Sequence, residues 1–334
     1  MNSPLVSVVL PVYNGAAYLA SAVDCILKQT FADFELIVIN DGSTDASAAL
    51  LAEIHDPRVI VVHQKNAGLA ASLNRAIEMA RGPYIARQDQ DDISMPTRLA
   101  CQFEFMETHP KCALLGTRAE IWVGDQKTER AHDHPVEDAS LRFELLFNNP
   151  FVHSSVMLRK SSLDEVGLYA TDSARQPPED YELWSRIARH AMIANLPERM
   201  TIYREVPKSM SRVGRNPFLE KLVVISSENI AAILGLTGPS SVTGDIAAMT
   251  HSAYDCLSAK PDLKSMCDYV YKAGLRIHAG SGESDVLQRA EFRVKCLRHQ
   301  YLAYRYKADW LRPFVRFTRT MKMRIKKYAN YEAK

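Results

Sequence analysis

The first hundred residues alternate apolar runs with amphipathic stretches at a regular pitch, and this alternation restricts the fold more than any other feature. Residues 6–10, 34–39, 59–62 and 84–86 are short apolar, mostly β-branched runs that predict buried strands. Residues 16–28, 45–54, 67–80 and 96–107 carry helical spacing. Thr44 or Asp45 is expected to cap the second helix, and Pro96 suits the first turn of the fourth. Strand and helix in alternation predict right-handed βαβ units, hence an α/β fold with a mostly parallel sheet flanked by helices. Ligands of such sheets sit beyond the carboxyl ends of the strands. The residues that follow each strand therefore carry the functional information.

Those residues are polar. The runs lead into Pro11-Val12-Tyr13-Asn14-Gly15, Asn40-Asp41-Gly42-Ser43-Thr44-Asp45, Gln64-Lys65-Asn66-Ala67-Gly68 and Gln88-Asp89-Gln90-Asp91-Asp92. A parallel sheet gathers all four at one edge, where crowded carboxylates repel each other. Asp89, Asp91 and Asp92 are hard oxygen donors suited to Mg²⁺ or Mn²⁺, which commonly bind one or two carboxylates plus substrate phosphates. Such a cation neutralises charge on a phosphate leaving group. Taken alone, Asp-x-Asp-Asp reads as a solvated acidic turn; its place beside three other polar strand ends favours a site. Asp41 is either a turn residue or an acceptor for a base N–H, and Asn66 and Gly68 are either a helix-start turn or nucleotide donors. Neither Gly-x-Gly-x-x-Gly nor a P-loop occurs, so dinucleotide and Walker-type sites lack support.

From residue 113 the pattern is mixed: strand over 113–123, helix over 140–147, strand over 155–158, helix over 179–190 and a strand end at 201–203. Beyond Asn216 it is helical, over 218–234, 245–257, 263–279 and 285–307, with a loop expected at 235–244. This divides the chain into a catalytic domain over 1–215, a helical region over 216–308 and a tail over 309–334. The 334 residues are 47% hydrophobic and 24% charged, which excludes a disordered or collagen-like chain. Six scattered cysteines without a Cys-x-x-Cys pair read as reduced, buried thiols. No signal-peptide pattern opens the chain and no apolar run reaches the roughly 18 residues of a membrane span, so a cytoplasmic protein is expected.

In this order the motifs resemble the family 2 inverting glycosyltransferases of GT-A fold, over roughly residues 4–212. The matching segments are residues 6–14, 35–45, 65–69 with Asn74, and 84–92 with Pro96 and Arg98-Leu99. Val152-His153-Ser154-Ser155-Val156-Met157 and the segment 178–186, with its Glu179-Asp180 pair, complete the set. The resemblance implies that Pro11, Tyr13 and Asp41 cradle the base of a nucleotide-sugar, with Asn66 beside them. It implies Asp89 near the ribose and metal, Asp91 as metal ligand on the diphosphate, and Asp180, paired with Glu179, as general base. Mn²⁺ or Mg²⁺ is the implied cofactor. Inverting transfer needs one base for the acceptor hydroxyl and a cation for the departing diphosphate, without a covalent intermediate.

At the start of its helix, Asp180 is expected to be held ionised by the helix dipole; on residue type alone, Glu179 and Asp180 read as helix N-terminal charge. His153 is a contact to the diphosphate or acceptor, or a core histidine. Trp184 lines the acceptor site or packs in the core. Arg204, Lys208, Arg212 and Arg215 form a basic loop that closes over phosphates, or a solvated linker. No Gln-x-x-Arg-Trp pattern occurs, so one sugar per acceptor is expected. The implied acceptor is a saccharide or lipid-linked saccharide of bacterial surface polysaccharide or lipopolysaccharide, and the implied donor carries UDP or dTDP. Two other classes stay open. A non-catalytic nucleotide-sugar scaffold would not need both Asp91 and Asp180. A sugar nucleotidyltransferase would carry a basic triphosphate loop where residues 11–15 have no Lys or Arg.

The net charge of +2 conceals an uneven distribution. Residues 301–334 hold ten basic and two acidic residues, a net +8, which leaves −6 on the other 300. Within the tail Trp310, Phe314, Phe317, Met321, Ile325 and Tyr328 recur at helical spacing. A cationic helix with an aromatic stripe suits an anionic membrane surface, here the inner face of the cytoplasmic membrane. The alternatives are packing on the protein itself or in an oligomer; nucleic acid is not expected.

Overall fold

The computed structural model describes residues 3–206, 218–281 and 285–305. Strands β1 (Val6–Val12), β2 (Phe34–Asp41), β3 (Val59–Gln64) and β4 (Tyr84–Arg87) alternate with helices α1 (Leu19–Leu27), α2 (Ser47–Ala52) and α3 (Leu69–Met79). These strands pair in parallel in the order β3-β2-β1-β4. Every residue of β1 and β2 is buried, which is why they read as unbroken apolar runs rather than alternating ones.

Strand β5 (Ile93–Ser94) and helix α4 (Arg98–Thr108) follow, then β6 (Cys112–Val123), β7 (Gln126–His132), α5 (Asp138–Leu145), β8 (Met157–Arg159), α6 (Lys160–Val166), α7 (Glu179–His190) and β9 (Met192–Glu205). They extend one sheet of nine strands among the described residues, in the order β3-β2-β1-β4-β8-β6-β9-β5 with β7 on β6. This half is mixed. β6 runs parallel to β9, whereas β8 is antiparallel to both β4 and β6. One face of the sheet packs on α3 and α7 through Leu73, Ile77, Leu183 and Ile187; the other packs on α1 and α4 through Val23, Ile26, Leu99 and Met106.

Helices α8 (Leu219–Ile233), α9 (Ser241–Thr250), α10 (Leu263–Ser281) and α11 (Val286–Arg305) gather a separate core around Phe143 and Phe147, with Ile230, Ile246, Val270 and Leu297. Burying each such side chain contributes about 1.5–3 kcal/mol. Helix α5 belongs to both layers and joins the helices to the sheet.

Several expectations need correction. Helix α2 begins at Ser47 after Ala46, and Asp45 works from one residue further out, accepting Ser47 N–H at 2.9 Å and Ala16 N–H at 3.0 Å. The expected loop at 235–244 ends early, because Ser240 and Thr243 form a reciprocal capping box that starts α9, with Gly244 inside the helix. The expected strand end at 201–203 is the end of the long β9, which local propensity hides behind Pro197 and charged neighbours; its register on β6 holds it. The polar β7 lacks a strand signal of its own and is likewise held by its pairing with β6. Residues 153–155 form a short 3₁₀ turn before β8. Arg204 is a buried residue of β9, not part of a basic loop. Lys208, Arg212, Arg215 and the 309–334 tail lie outside the described residues. None of the six cysteines is in a disulfide, but only Cys112 and Cys267 are buried as expected; Cys25, Cys101 and Cys296 are half-buried and Cys256 is exposed, because their positions on helices and turns do not point fully into the core.

Candidate active site

The site is built at the carboxyl ends of β1, β2 and β4. Pro11 lies buried within β1, opposite Ile39 of β2. Pairing of β1 with β4 ends at Val9–Arg87, where Gln88 N–H donates to the Val9 carbonyl at 3.0 Å. Two residues on, Pro11 turns its donor-less nitrogen to the side β4 has left, so no ladder bond is lost. Tyr13 is 49% exposed at the strand end.

Asp41 ends β2 and is buried. Its carboxylate accepts Gln64 Nε2 at 2.7 Å, Ala67 N–H at 2.8 Å and Gly68 N–H at 2.9 Å. Two carboxylate oxygens offer about four acceptor sites, so one remains for a ligand. The principal work of Asp41 is holding the turn that presents the exposed Asn66. Gly42, at φ +74°, passes so close that a Cβ would meet the Asn66 nitrogen at 2.8 Å.

The three aspartates after β4 face different ways. Asp89 forms an ion pair with Arg87, whose side chain is buried. The Asp91 carboxyl is pushed up to about 6 by burial and by the charge of Asp89. Asp92 is fully buried; it accepts Arg204 N–H at 2.7 Å and the Ser154 hydroxyl. Asp92 is thus committed to the scaffold rather than to a cation. Among the described residues no three His, Cys, Asp or Glu side chains are grouped to hold a metal. Asp89 and Asp91 nevertheless fit a hard divalent cation, because their charges crowd one turn and such ions take remaining ligands from phosphate and water.

Opposite lie Glu179 and Asp180, at the start of α7. Asp180 accepts Asn149 Nδ2 at 2.7 Å on one oxygen and Tyr181 N–H at 2.7 Å on the other. Its carboxyl is raised, because burial outweighs Tyr181 N–H and the Arg87 charge. Burial thus works against the helix terminus, which by itself favours the ionised form. Glu179 is pushed up to about 7 by burial and by Asp180.

His153 Nδ1 stands 4.0 Å from a carboxylate oxygen of each, and its Nε2 meets the Tyr169 hydroxyl at 2.9 Å. Burial and the Arg87 charge hold the imidazole well below its usual range, so it is neutral. Trp184 has no exposed surface; it packs edge-on against Phe151, His153 and Tyr169. It therefore forms the floor under His153 and does not line an acceptor surface.

Arg87, Gln90, Asn149 and Tyr169 join the site although no sequence motif gives them a role. Arg87 had one signal, an arginine in an otherwise apolar buried strand. The others show themselves only through partners distant in the chain.

A family model described as "Glycosyl transferase family 2" matches residues 7–167. An uncharacterized glycosyltransferase of Haemophilus influenzae is 32% identical over 248 residues, 71% of this chain and 76% of that protein. The putative glycosyltransferase EpsE of Bacillus subtilis is 33% identical over 220 residues, 64% of this chain and 77% of its own. Among solved structures, S. aureus TarS 1-349 in complex with UDP-GlcNAc superposes with a TM-score of 0.60 at 18% identity, covering 90% of this chain and 92% of that one. That likeness carries the GT-A fold, with helices at the C-terminal side. Family membership rests on the sequence relatives, each aligned over more than three-quarters of its own length: the chain belongs to glycosyltransferase family 2.

Proposed function

We propose that this glycosyltransferase moves one sugar, with inversion, from a UDP- or dTDP-linked donor to a hydroxyl of a saccharide or lipid-linked saccharide of a surface polysaccharide. Residues 1–215 carry the chemistry and 216–308 the helical region. The observation that carries the reading is electrostatic opposition across Arg87. Its charge lowers the carboxyls of Asp91, Glu179 and Asp180, while Asp89 raises all three. Donor-side Asp91 and acceptor-side Glu179 and Asp180 therefore lie within the field of the same Arg87–Asp89 ion pair.

Asp180 takes the proton of the acceptor hydroxyl. Its raised carboxyl makes it a stronger base than a solvated aspartate, and Asn149 with Tyr181 N–H fixes its orientation. The neutral His153, held by Tyr169, packs beside it without adding charge. Asp41 and Asn66 shape the nucleoside end beside the exposed Tyr13. Asp89 and Asp91 hold Mn²⁺ or Mg²⁺, which when bound neutralises charge developing on the diphosphate.

An anionic membrane surface is proposed as partner of the 309–334 tail. In support, α11 leads toward that segment and exposes Phe292 and Leu302 beside the exposed Lys295, Arg298 and Arg305. No helix among the described residues is long and apolar enough to cross a membrane.

Asp180→Asn tests the reading. Donor-nucleotide affinity should stay within about twofold while transfer falls roughly 10²–10⁴-fold, the usual contribution of a general base. Full turnover in the variant would remove Asp180 as base, and NMR of the product anomer decides inversion.

A further inference from the structure

Gln90 stands between the two carboxylates of the proposed metal turn, but its side chain is engaged elsewhere. Its Oε1 accepts Tyr13 N–H at 2.8 Å and its Nε2 donates to the Tyr13 carbonyl at 3.1 Å, across 77 residues of sequence. The backbone ladder between β1 and β4 stops at Val9–Arg87. Four residues further on, at Tyr13 just past the end of β1, the Gln90 amide supplies a rung of its own, with the donor and acceptor pattern of a peptide group. The fit requires glycine at position 15, where a Cβ would lie 2.3 Å from Gln90 Oε1. The same backbone stretch is anchored on its far side, with Asn14 N–H on Ser43 Oγ and Gly15 N–H on Ser47 Oγ, each at 3.0 Å. Tyr13 thus has one side-chain clamp toward the carboxylate turn, and that clamp is Gln90.

We propose that Gln90 is a positioning residue that joins the nucleoside-side segment at Tyr13 to the carboxylate turn at Asp89–Asp91, so that the two halves of the nucleotide-sugar site order together. The inference rests on the donor and metal reading given above. A cation settling Asp91 and Asp89 also settles Gln90 between them, and through two hydrogen bonds it settles Tyr13. Linkage requires the reverse: a nucleoside that orders Tyr13 must tighten the cation.

The decisive probe is a nucleoside without phosphate, because any coupling to Mn²⁺ must then pass through the protein. Uridine and thymidine are titrated into the full chain by calorimetry or NMR, with and without Mn²⁺, and Mn²⁺ with and without the nucleoside that binds. The wild type should show reciprocal tightening of about fivefold. Gln90→Met, similar in length but without the amide, should bring the factor to about one. Gly15→Ala, which intrudes on the same contact from the loop after β1, should do the same and stands in if Gln90→Met fails to fold. Coupling that persists in either folded variant, or its absence in a wild type that binds both ligands, would overturn the inference. A wild type that binds nucleoside but no Mn²⁺ overturns it too, through the metal reading. A wild type that binds neither nucleoside removes the donor reading and the inference with it.

Discussion

Asn149 donates its side-chain amide to Asp180 at 2.7 Å, although the two residues lie 31 positions apart. The second oxygen of Asp180 is held by the N–H of Tyr181, its immediate neighbour in α7. One bond is therefore local to the helix and the other crosses to the loop after α5. Hydrogen bonds to a charged group contribute about 1.5–3 kcal/mol. Replacing Asn149 by Leu should lower kcat by about 10- to 100-fold, with donor KM within about twofold. Steady-state kinetics at varied donor checks the split; an equal rise in KM would mean that Asn149 serves the donor instead.

Stability should depend on pH through Glu179. Its carboxyl is pushed from an ordinary value of 4.5 to about 7, first by burial and then by Asp180. Between those values the unfolded chain has released the proton and the folded chain keeps it, so stability falls as pH rises. The melting temperature of the metal-free protein should drop from pH 4.5 to 7 and then level off with respect to this group. Glu179→Gln should flatten that limb. An unchanged pH slope in the variant would assign the dependence to other groups.

Turnover should show the same pair from the other side. Glu179 and Asp180 titrate as a unit, so the acid limb of kcat belongs to the pair. Activity should rise with pH toward about 7 as the pair loses its proton. Removing the Glu179 charge by Glu179→Gln should move the limb to lower pH, as pH–rate profiles at saturating donor would show.

Asp91 sets function against stability. Its carboxyl is raised to about 6 because its ionised form is buried beside Asp89. Asp91→Asn relieves that repulsion, so at pH 8 the metal-free variant should melt at or above the wild type. Mn²⁺-dependent binding of nucleotide should weaken at least about tenfold, one lost charge-assisted ligand. Metal-titrated affinity equal to the wild type would exclude Asp91 as a ligand.

Asp92, one residue later, should behave in the opposite way. Removing its carboxylate leaves Arg204 N–H and the Ser154 hydroxyl without their buried acceptor. Asp92→Ala should cost about 2–4 kcal/mol of folding stability, read by denaturant titration. Any loss of Mn²⁺ binding should follow the unfolded fraction; a folded variant with weakened metal binding would make Asp92 a ligand after all.

Much of the first hundred residues was legible, because strand and helix there are written in short-range period. The apolar run at 34–39 and the polar Asn40-Asp41-Gly42 after it mark both a strand and its functional end, whatever β2 pairs with. Helix α7 spans the residues expected of it, since a proline pair and an apolar stripe delimit it locally. Motif order likewise pointed to the family without reference to any contact.

The tertiary structure alone decided which way each of those residues faces. Asp89, Asp91 and Asp92 are near-equivalent on paper; the Arg87 ion pair, the Asp89 charge and the Arg204 backbone, 112 residues away, make them three different groups. Trp184 and His153 could each have met a substrate until packing put one beneath the other. Gln90 is an unremarked turn residue until Tyr13 is brought beside it. Propensity and periodicity act over a few residues and are inherent in the sequence. Burial, charge proximity and hydrogen-bond partnership act through space between residues far apart in the chain, and only the closed sheet brings those residues together.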